Sequence, residues 1–233
     1  MVSINSTIGN KSHNIYADVL TIQNHINKKK WGGAILKLKE DGVCGNKTIE
    51  AIKAIQKFIN DQQSQRQIIP IDGIISPSGP TFRYLKPFEF LGTSSNNFKT
   101  YDKAAGLYGT ANTIFTIKSI AEQFLRWQHS IHATPLILIQ IGDISFEDGK
   151  KMYEHHSHRI GCHVDIRPIS KNKNSYSPTK INDKDYDHER TKKLAEIILS
   201  QSQVLTVLFN DKSIPGVKSY AGHDDHLHIK LKL

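Results

Sequence analysis

Histidine is concentrated in two short segments of this chain. Seven of its twelve histidines lie within residues 155–165 and 223–228, and three aspartates share these segments. Imidazole and carboxylate groups are common ligands of divalent metal ions. A random scatter of surface histidines would not concentrate them in this way. The sequence therefore predicts a metal site, and the fold has to bring the two segments together.

The second segment leads into a predicted β-strand. From residue 226 to residue 233, polar and apolar side chains alternate, which is the period-2 pattern of a half-buried strand. His226 and His228 are expected to project together from one face, and His223, on the entering turn, can reach the same point. The opposite, core-facing set is Leu227, Ile229, Leu231 and Leu233.

The first segment is predicted to bend. His158 and Asp165 are seven residues apart, and this odd spacing would put them on opposite faces of one straight strand. Gly161 is the expected position of the bend, because glycine tolerates unusual backbone angles. After it, the alternation places Asp165 and Arg167 on one face of a strand.

The composition of the segments favours a catalytic zinc site. Two histidines and one carboxylate leave a fourth coordination position open for water. Cys44 and Cys162 are the only cysteines, too few and too far apart for a four-cysteine or Cys-x-x-Cys site. Cys162 is expected to be an ordinary buried cysteine, because the alternation turns it away from His163. Zn²⁺ is therefore the expected cofactor.

Three stretches resemble the penicillin-insensitive murein endopeptidases, within the wider group of lysostaphin-type and D-Ala-D-Ala zinc peptidases. They are residues 141–145, 155–165 and 223–228, and the shared pattern is His-x(6)-Asp followed much later by His-x-His. The resemblance covers residues 95–233. It implies a zinc peptidase domain whose metal ligands are His158, Asp165 and His228.

The same resemblance implies roles for neighbouring residues. His226 would assist the metal-bound water or stabilise the oxyanion, and His223 and His155 would be further catalytic histidines. The family often has a carboxylate where this chain has His163, a position that also faces the metal side of the strand. Asp143 either orients a ligand histidine from outside the ligand set or caps a turn.

Residues 1–90 are predicted to form a small helical domain. Apolar residues recur at helical spacing in 17–27 and 48–60, and an Asp-Gly turn at 41–42 lies between them. A weaker copy of this turn follows at 72–73. The pattern resembles the peptidoglycan-binding-like domain, which implies wall binding, with a docking role as the alternative. Residues 86–100 are interpreted as a linker.

The expected fold class is α+β, with the N-terminal helical domain followed by an antiparallel-sheet zinc peptidase domain at residues 95–233. The periodicity predicts helices near 114–130 and 188–202 and buried strands at 136–141 and 204–209. The polar residues 171–187 are interpreted as a long loop that borders the substrate groove.

Net charge and chain start indicate the partner and the location. The formal net charge of +9 favours an anionic partner. The lysines are dispersed, so we expect no nucleic acid, whereas peptidoglycan carries carboxylates. No apolar run reaches membrane-spanning length and the start lacks the regions of a signal peptide. We therefore expect no membrane insertion, synthesis in the cytoplasm, and action in the periplasm or cell wall, including that of a target cell.

The resemblance to the zinc peptidases and the peptidoglycan-binding-like N-terminal domain together imply hydrolysis of amide bonds in peptidoglycan. The resemblance implies a murein DD-endopeptidase that acts as a phage endolysin or as a secreted antibacterial effector, the latter with a secretion-apparatus component or an immunity protein as partner. The alternatives are a D-Ala-D-Ala carboxypeptidase of the same group, a metal-dependent nuclease and a non-catalytic wall-binding module. The metal-site pattern alone supports only metal-assisted hydrolysis.

Overall fold

The computed structural model describes residues 2–31, 37–63, 69–101, 104–153, 155–172 and 178–233. The fold is α+β, as predicted. The first part of the chain contains β1 (Ile8–Gly9), α1 (Tyr16–Lys28), α2 (Asn46–Gln63), β2 (Ile74–Ile75) and α3 (Pro80–Leu85). Strands β1 and β2 pair antiparallel. Both helices predicted for this part are confirmed, and their apolar faces are buried as the helical spacing requires.

Two glutamines hold the two Asp-Gly turns in the same way. The Gln23 carbonyl oxygen accepts from the backbone N–H of Asp41 and Gly42, and its amide donates to the Asp41 carboxylate. One helix later, Gln56 accepts from the N–H of Gly73 and donates to the Asp72 carboxylate. Both glycines have positive φ, +67° and +74°. The weak sequence echo is therefore a true structural repeat.

The second part of the chain is built around a five-stranded sheet. Its elements are β3 (Glu89–Phe90), β4 (Phe98–Thr100), β5 (Tyr108–Gly109), α4 (Ala111–Ser130), β6 (Ile139–Ile141), β7 (His163–Ile166), α5 (His188–Ser200), β8 (Val204–Leu208) and β9 (Leu227–Leu231). The strand order is β4-β6-β7-β9-β8, in which β4 and β6 run parallel and the other pairs run antiparallel. Helices α4 and α5 contact each other, and α5 contacts β8. The two predicted helices are confirmed.

Three expectations about this part are corrected. Residues 86–100 are not an irregular linker, because they contain β3 and β4, which pair with β5 and β6. Strand β8 is not buried: it forms an edge of the sheet, and only Val207 is fully covered. Strand β6 begins at Ile139 rather than at 136, because the Gln128 side chain bonds both backbone groups of Ile137 at 2.8 and 2.9 Å.

The N-terminal helices pack directly on the sheet domain. The Gln63 amide donates to the Cys162 sulfur at 3.2 Å, and the Lys30 N–H donates to the Asp148 carbonyl at 2.7 Å. The Arg159 guanidinium lies 4.8 Å from the centroid of the Phe58 ring. Cys162 is fully buried, as predicted, and forms no disulfide bond. One hydrophobic cluster runs through both parts of the chain, so the helices also support the segment that carries His155 and His158.

Lys29 is buried at this junction. Its ammonium nitrogen lies 3.0 Å from the centroid of the Phe88 ring. Among the residues described here, that nitrogen has no hydrogen-bond partner. Burial lowers the pKa of Lys29 to about 7, and the opposing effects of Asp148 and Glu147 are smaller. The folded state therefore holds a lysine that loses its proton near neutral pH.

Replacing Lys29 with methionine is expected to remove a pH dependence of stability. An unfolded lysine keeps its proton to about pH 10.4, so the unfolded state binds more protons above pH 7 and wild-type stability rises with pH. The expected rise from pH 7 to 9 is about 2 kcal/mol, from about 1.4 kcal/mol per pKa unit. Urea unfolding at both pH values measures it. Lys30→Met, at a side chain that is 62% exposed, is the control and should keep the slope. An unchanged slope in Lys29→Met would contradict the assignment.

Candidate metal centre

Strand pairing brings the two histidine-rich segments together. In the antiparallel register of β7 and β9, Asp165 lies directly opposite His228. Directly opposed residues present their side chains on the same face of a sheet, and the Asp165 Oδ1 atom lies 2.8 Å from His228 Nδ1. The predicted meeting of residues 155–165 with residues 223–228 is therefore observed. The core-facing set of β9 is buried as the alternation predicts.

The predicted bend at Gly161 brings His158 over the same point. Gly161 has φ of +67°, and a Cβ atom there would lie 3.0 Å from both the Phe88 ring and the backbone nitrogen of Thr110. Glycine is thus required by its backbone angle and by the lack of space. After the bend, His158 Nε2 lies 3.3 Å from Asp165 Oδ2 and 3.2 Å from His228 Nδ1.

These donor atoms fit a metal ion. Zinc binds nitrogen and carboxylate oxygen at about 2.0–2.2 Å, so the donors of a tetrahedral site lie about 3.3–3.6 Å apart. The separations of 3.2 Å between His158 and His228 and 3.3 Å between His158 and Asp165 Oδ2 are close to this range, and the 2.8 Å between His228 and Asp165 Oδ1 is shorter. His158, Asp165 and His228 are all at most 5% exposed. Two imidazoles and one carboxylate therefore converge on one point in a buried setting.

The electrostatics of the cluster suit a cation. Burial alone would raise the pKa of Asp165, but the charges and hydrogen bonds of His158 and His228 hold it well below its usual range. Burial lowers the pKa of His228 to about 4, against the opposing effect of Asp165. At neutral pH the cluster thus contains an ionised carboxylate and a neutral imidazole, which are the protonation states that metal ligands require.

More residues than these three can take part. In the described part of the chain, two groups of three residues could hold an ion, and within each group the ligand atoms lie within 4.8 Å of one another. The groups adjoin through the contact between Asp165 and His228. Their members are His155, His158 and Asp165 in one group and His223, His226 and His228 in the other. All six site residues singled out in the sequence therefore lie in one cluster.

His155 lies at one margin of the cluster and contacts Asp143. Its Nε2 atom is 3.2 Å from Asp143 Oδ2, and its Nδ1 atom is 3.9 Å from Asp165 Oδ2. The expectation that Asp143 orients a ligand histidine is therefore not confirmed, because its carboxylate contacts His155. The histidine that it contacts is not one of the three predicted ligands.

His226 and His223 lie at another margin. The ring nitrogen Nδ1 of His226 is 2.9 Å from Asp225 Oδ1, while its Nε2 atom is 3.9 Å from Asp165 Oδ1. The His223 ring lies 4.7 Å from that of His226, and burial lowers the pKa of His223. No role was predicted for Asp225 from the sequence. Its position next to His226 was the only available signal.

His163 lies behind His228 and is completely buried. Its Nδ1 atom is 3.0 Å from His228 Nε2, so it faces the metal side of β7 as predicted. Burial lowers the pKa of His163 well below its usual value, and His228 and His158 lower it further. Among the residues described, His163 Nε2 has no hydrogen-bond partner.

Comparisons with known proteins add no family: a scan against protein-family models and a search of curated proteins each found no match to this chain. The fold and the site define an α+β protein with a buried histidine and aspartate cluster that could hold a metal ion. None of the helices in the described ranges is long and apolar enough to cross a membrane.

Proposed function

We propose that this chain is a zinc-dependent hydrolase that cleaves amide bonds in peptidoglycan, with cleavage of peptide cross-links as the favoured reaction. The observation that carries the proposal is the convergence of His158, Asp165 and His228 at 2.8–3.3 Å. These three residues would hold the ion. Bound there, zinc would polarise a carbonyl group and make a water molecule more acidic.

The difference in burial within the cluster supports a catalytic rather than a structural site. The three proposed ligands are buried, whereas the side chains of His155 and His226 are 28% and 22% exposed. Solvent and substrate can therefore approach from the side on which these histidines lie. A closed structural site would bury every ligand and would more often use thiolates.

His226 is placed to transfer protons. If its Nδ1–H donates to Asp225, its Nε2 atom carries a lone pair directed towards the proposed ligands. That atom can accept a proton from the attacking water and then return it to the leaving amine. The resulting imidazolium would also stabilise negative charge on the oxyanion. Asp225 thus acts by holding the ring in the required tautomer.

The choice of peptidoglycan rests on the resemblance of residues 95–233 to murein endopeptidases and on charge. A net charge of +9 favours the anionic wall polymer. The repeated helical unit at the N-terminus resembles a wall-binding domain and would hold the enzyme on this substrate. We propose that the protein reaches the wall as a phage endolysin or as a secreted effector.

Mass spectrometry of soluble fragments from purified peptidoglycan tests the proposal. The zinc-loaded protein is expected to convert cross-linked dimers to monomers, and a chelator or the His228→Ala substitution should abolish the conversion. Loss of terminal D-Ala alone would identify a carboxypeptidase. Nucleic-acid cleavage that disappears in His228→Ala would identify a nuclease. If folded, zinc-loaded protein releases no fragments, the proposed murein hydrolysis is wrong.

A further inference from the structure

The imidazole of His228 is contacted at both of its nitrogens. Its Nδ1 atom lies 2.8 Å from Asp165 and 3.2 Å from His158, on the side where a metal ion would bind. Its Nε2 atom lies 3.0 Å from Nδ1 of His163, on the far side. His163 itself is 0% exposed. Its ring is therefore shielded from solvent, and among the described residues its one side-chain hydrogen bond is to His228.

The tautomers of the two rings are linked. A neutral imidazole carries one N–H, so a ring that gives its Nδ1 lone pair to a metal must carry its proton on Nε2. The Nε2–H of His228 then has to donate, and Nδ1 of His163 is the acceptor at hydrogen-bond distance. His163 in turn must carry its own proton on Nε2.

This arrangement leaves His163 with an unsatisfied polar atom. Within the described parts of the chain, its Nε2 atom is buried and has no hydrogen-bond partner. Buried polar groups are normally satisfied, and an apolar side chain of similar size would fill the same space without this cost. Packing alone therefore does not account for a histidine at this position. His163 belongs to neither of the two groups of residues that could hold a metal ion. We therefore do not count it among the ligands.

We infer that His163 is a positioning residue that accepts the Nε2 proton of His228 and thereby fixes His228 as an Nδ1 ligand of the metal ion. The inference rests on the metal site of the proposed function but not on the reaction. Loss of a group that orients a ligand histidine in this way typically weakens metal binding about 10- to 100-fold.

Two substitutions separate the acceptor from the volume of the ring. His163→Asn places an amide oxygen close to the position of Nδ1 and keeps an acceptor for His228. His163→Leu fills a similar space and offers none. Zinc affinity of the full chain is measured by competition with a chromophoric chelator, and circular dichroism checks that each variant is folded. We expect zinc binding to weaken about 10- to 100-fold in His163→Leu and to stay close to wild type in His163→Asn.

The tautomer provides a second readout that needs no variant. In the zinc-loaded, ¹⁵N-histidine-labelled protein, His228 should show a proton on Nε2 and a metal-bound Nδ1. A proton on Nδ1 of His228 would overturn the inference, even if His163→Leu does not fold. Unchanged zinc affinity in His163→Leu, or equal weakening in both variants, would also overturn it.

These results are distinguishable from failure of the proposed function. If the wild type binds zinc with the expected tautomer and His163→Leu weakens binding, the role of His163 stands even when peptidoglycan remains intact. If the wild type shows no affinity for zinc, the metal site and the role of His163 are both wrong.

Discussion

Replacing Asp165 with asparagine is expected to weaken zinc binding by about 100- to 1,000-fold. Sites with four protein ligands bind zinc with about 10–16 kcal/mol, so one ligand contributes several kcal/mol. Asp165 is expected to contribute more binding free energy than an average ligand, because its carboxylate contacts both His158 and His228 and is held ionised by them. Asparagine keeps the size of the side chain and removes the negative charge. Chelator competition measures the affinity, and mass spectrometry of the native protein measures the bound metal.

Asp143→Asn is the matched control for this prediction. Asp143 is an aspartate beside the cluster, and its carboxylate contacts His155 rather than the side chains of the three proposed ligands. Its substitution should change zinc affinity by less than about 10-fold, because loss of a residue that contacts a ligand itself typically weakens binding by about 10- to 100-fold. If Asp143→Asn weakens binding as much as Asp165→Asn does, the ion is held by the group that contains His155. If neither substitution matters, the ligand assignment is wrong.

Local pattern was enough to predict the helices and the faces of β9. Apolar residues at helical spacing have to be buried on one side, and alternation in β9 fixes which residues reach the core. Leu227, Ile229 and Leu231 are fully buried as expected. These predictions succeed because each depends on residues close together in the chain.

The wrong predictions about the strands concern features that depend on residues distant in the sequence. Strand β8 is as apolar as a central strand, yet it is the last strand in the order of the described sheet, and hydrophobicity does not report this position. Strands β3 and β4 lie in residues 86–100, which were interpreted as a linker. The strands that pair with them, β5 and β6, come later in the chain, so the local sequence does not show the pairing. The start of β6 depends on one side chain, Gln128, in the preceding helix.

The same distinction applies to the site. Histidine spacing and one glycine predicted which residues would gather, because few other positions offer imidazole and carboxylate groups together. The outer contacts of the cluster depend on strand register and on side-chain rotamers, which spacing does not determine. They join Asp143 to His155, Asp225 to His226 and His163 to His228.

Replacing His226 with alanine is expected to lower kcat/KM for a cross-linked muropeptide dimer by about 100- to 10,000-fold, the usual contribution of a general acid or base. Zinc affinity should change little, because His226 Nε2 lies 3.9 Å from Asp165, farther than the 2.8–3.3 Å that separate the proposed ligands. Steady-state kinetics and chelator competition on the same preparation separate the two effects. His156→Ala, at an exposed histidine of the first segment, is the matched control and should retain activity.

Zinc affinity decides how a loss of activity in His226→Ala is interpreted. Activity lost with zinc retained assigns proton transfer to His226, and Asp225→Asn should then give a smaller loss of the same kind, because it releases the His226 ring without removing it. Activity and zinc lost together would instead make His226 a ligand, in the group that it forms with His223 and His228. Full activity in His226→Ala would contradict both roles. Proton transfer would then be assigned to His155, which contacts Asp143 and lies 3.9 Å from the other carboxylate oxygen of Asp165, Oδ2.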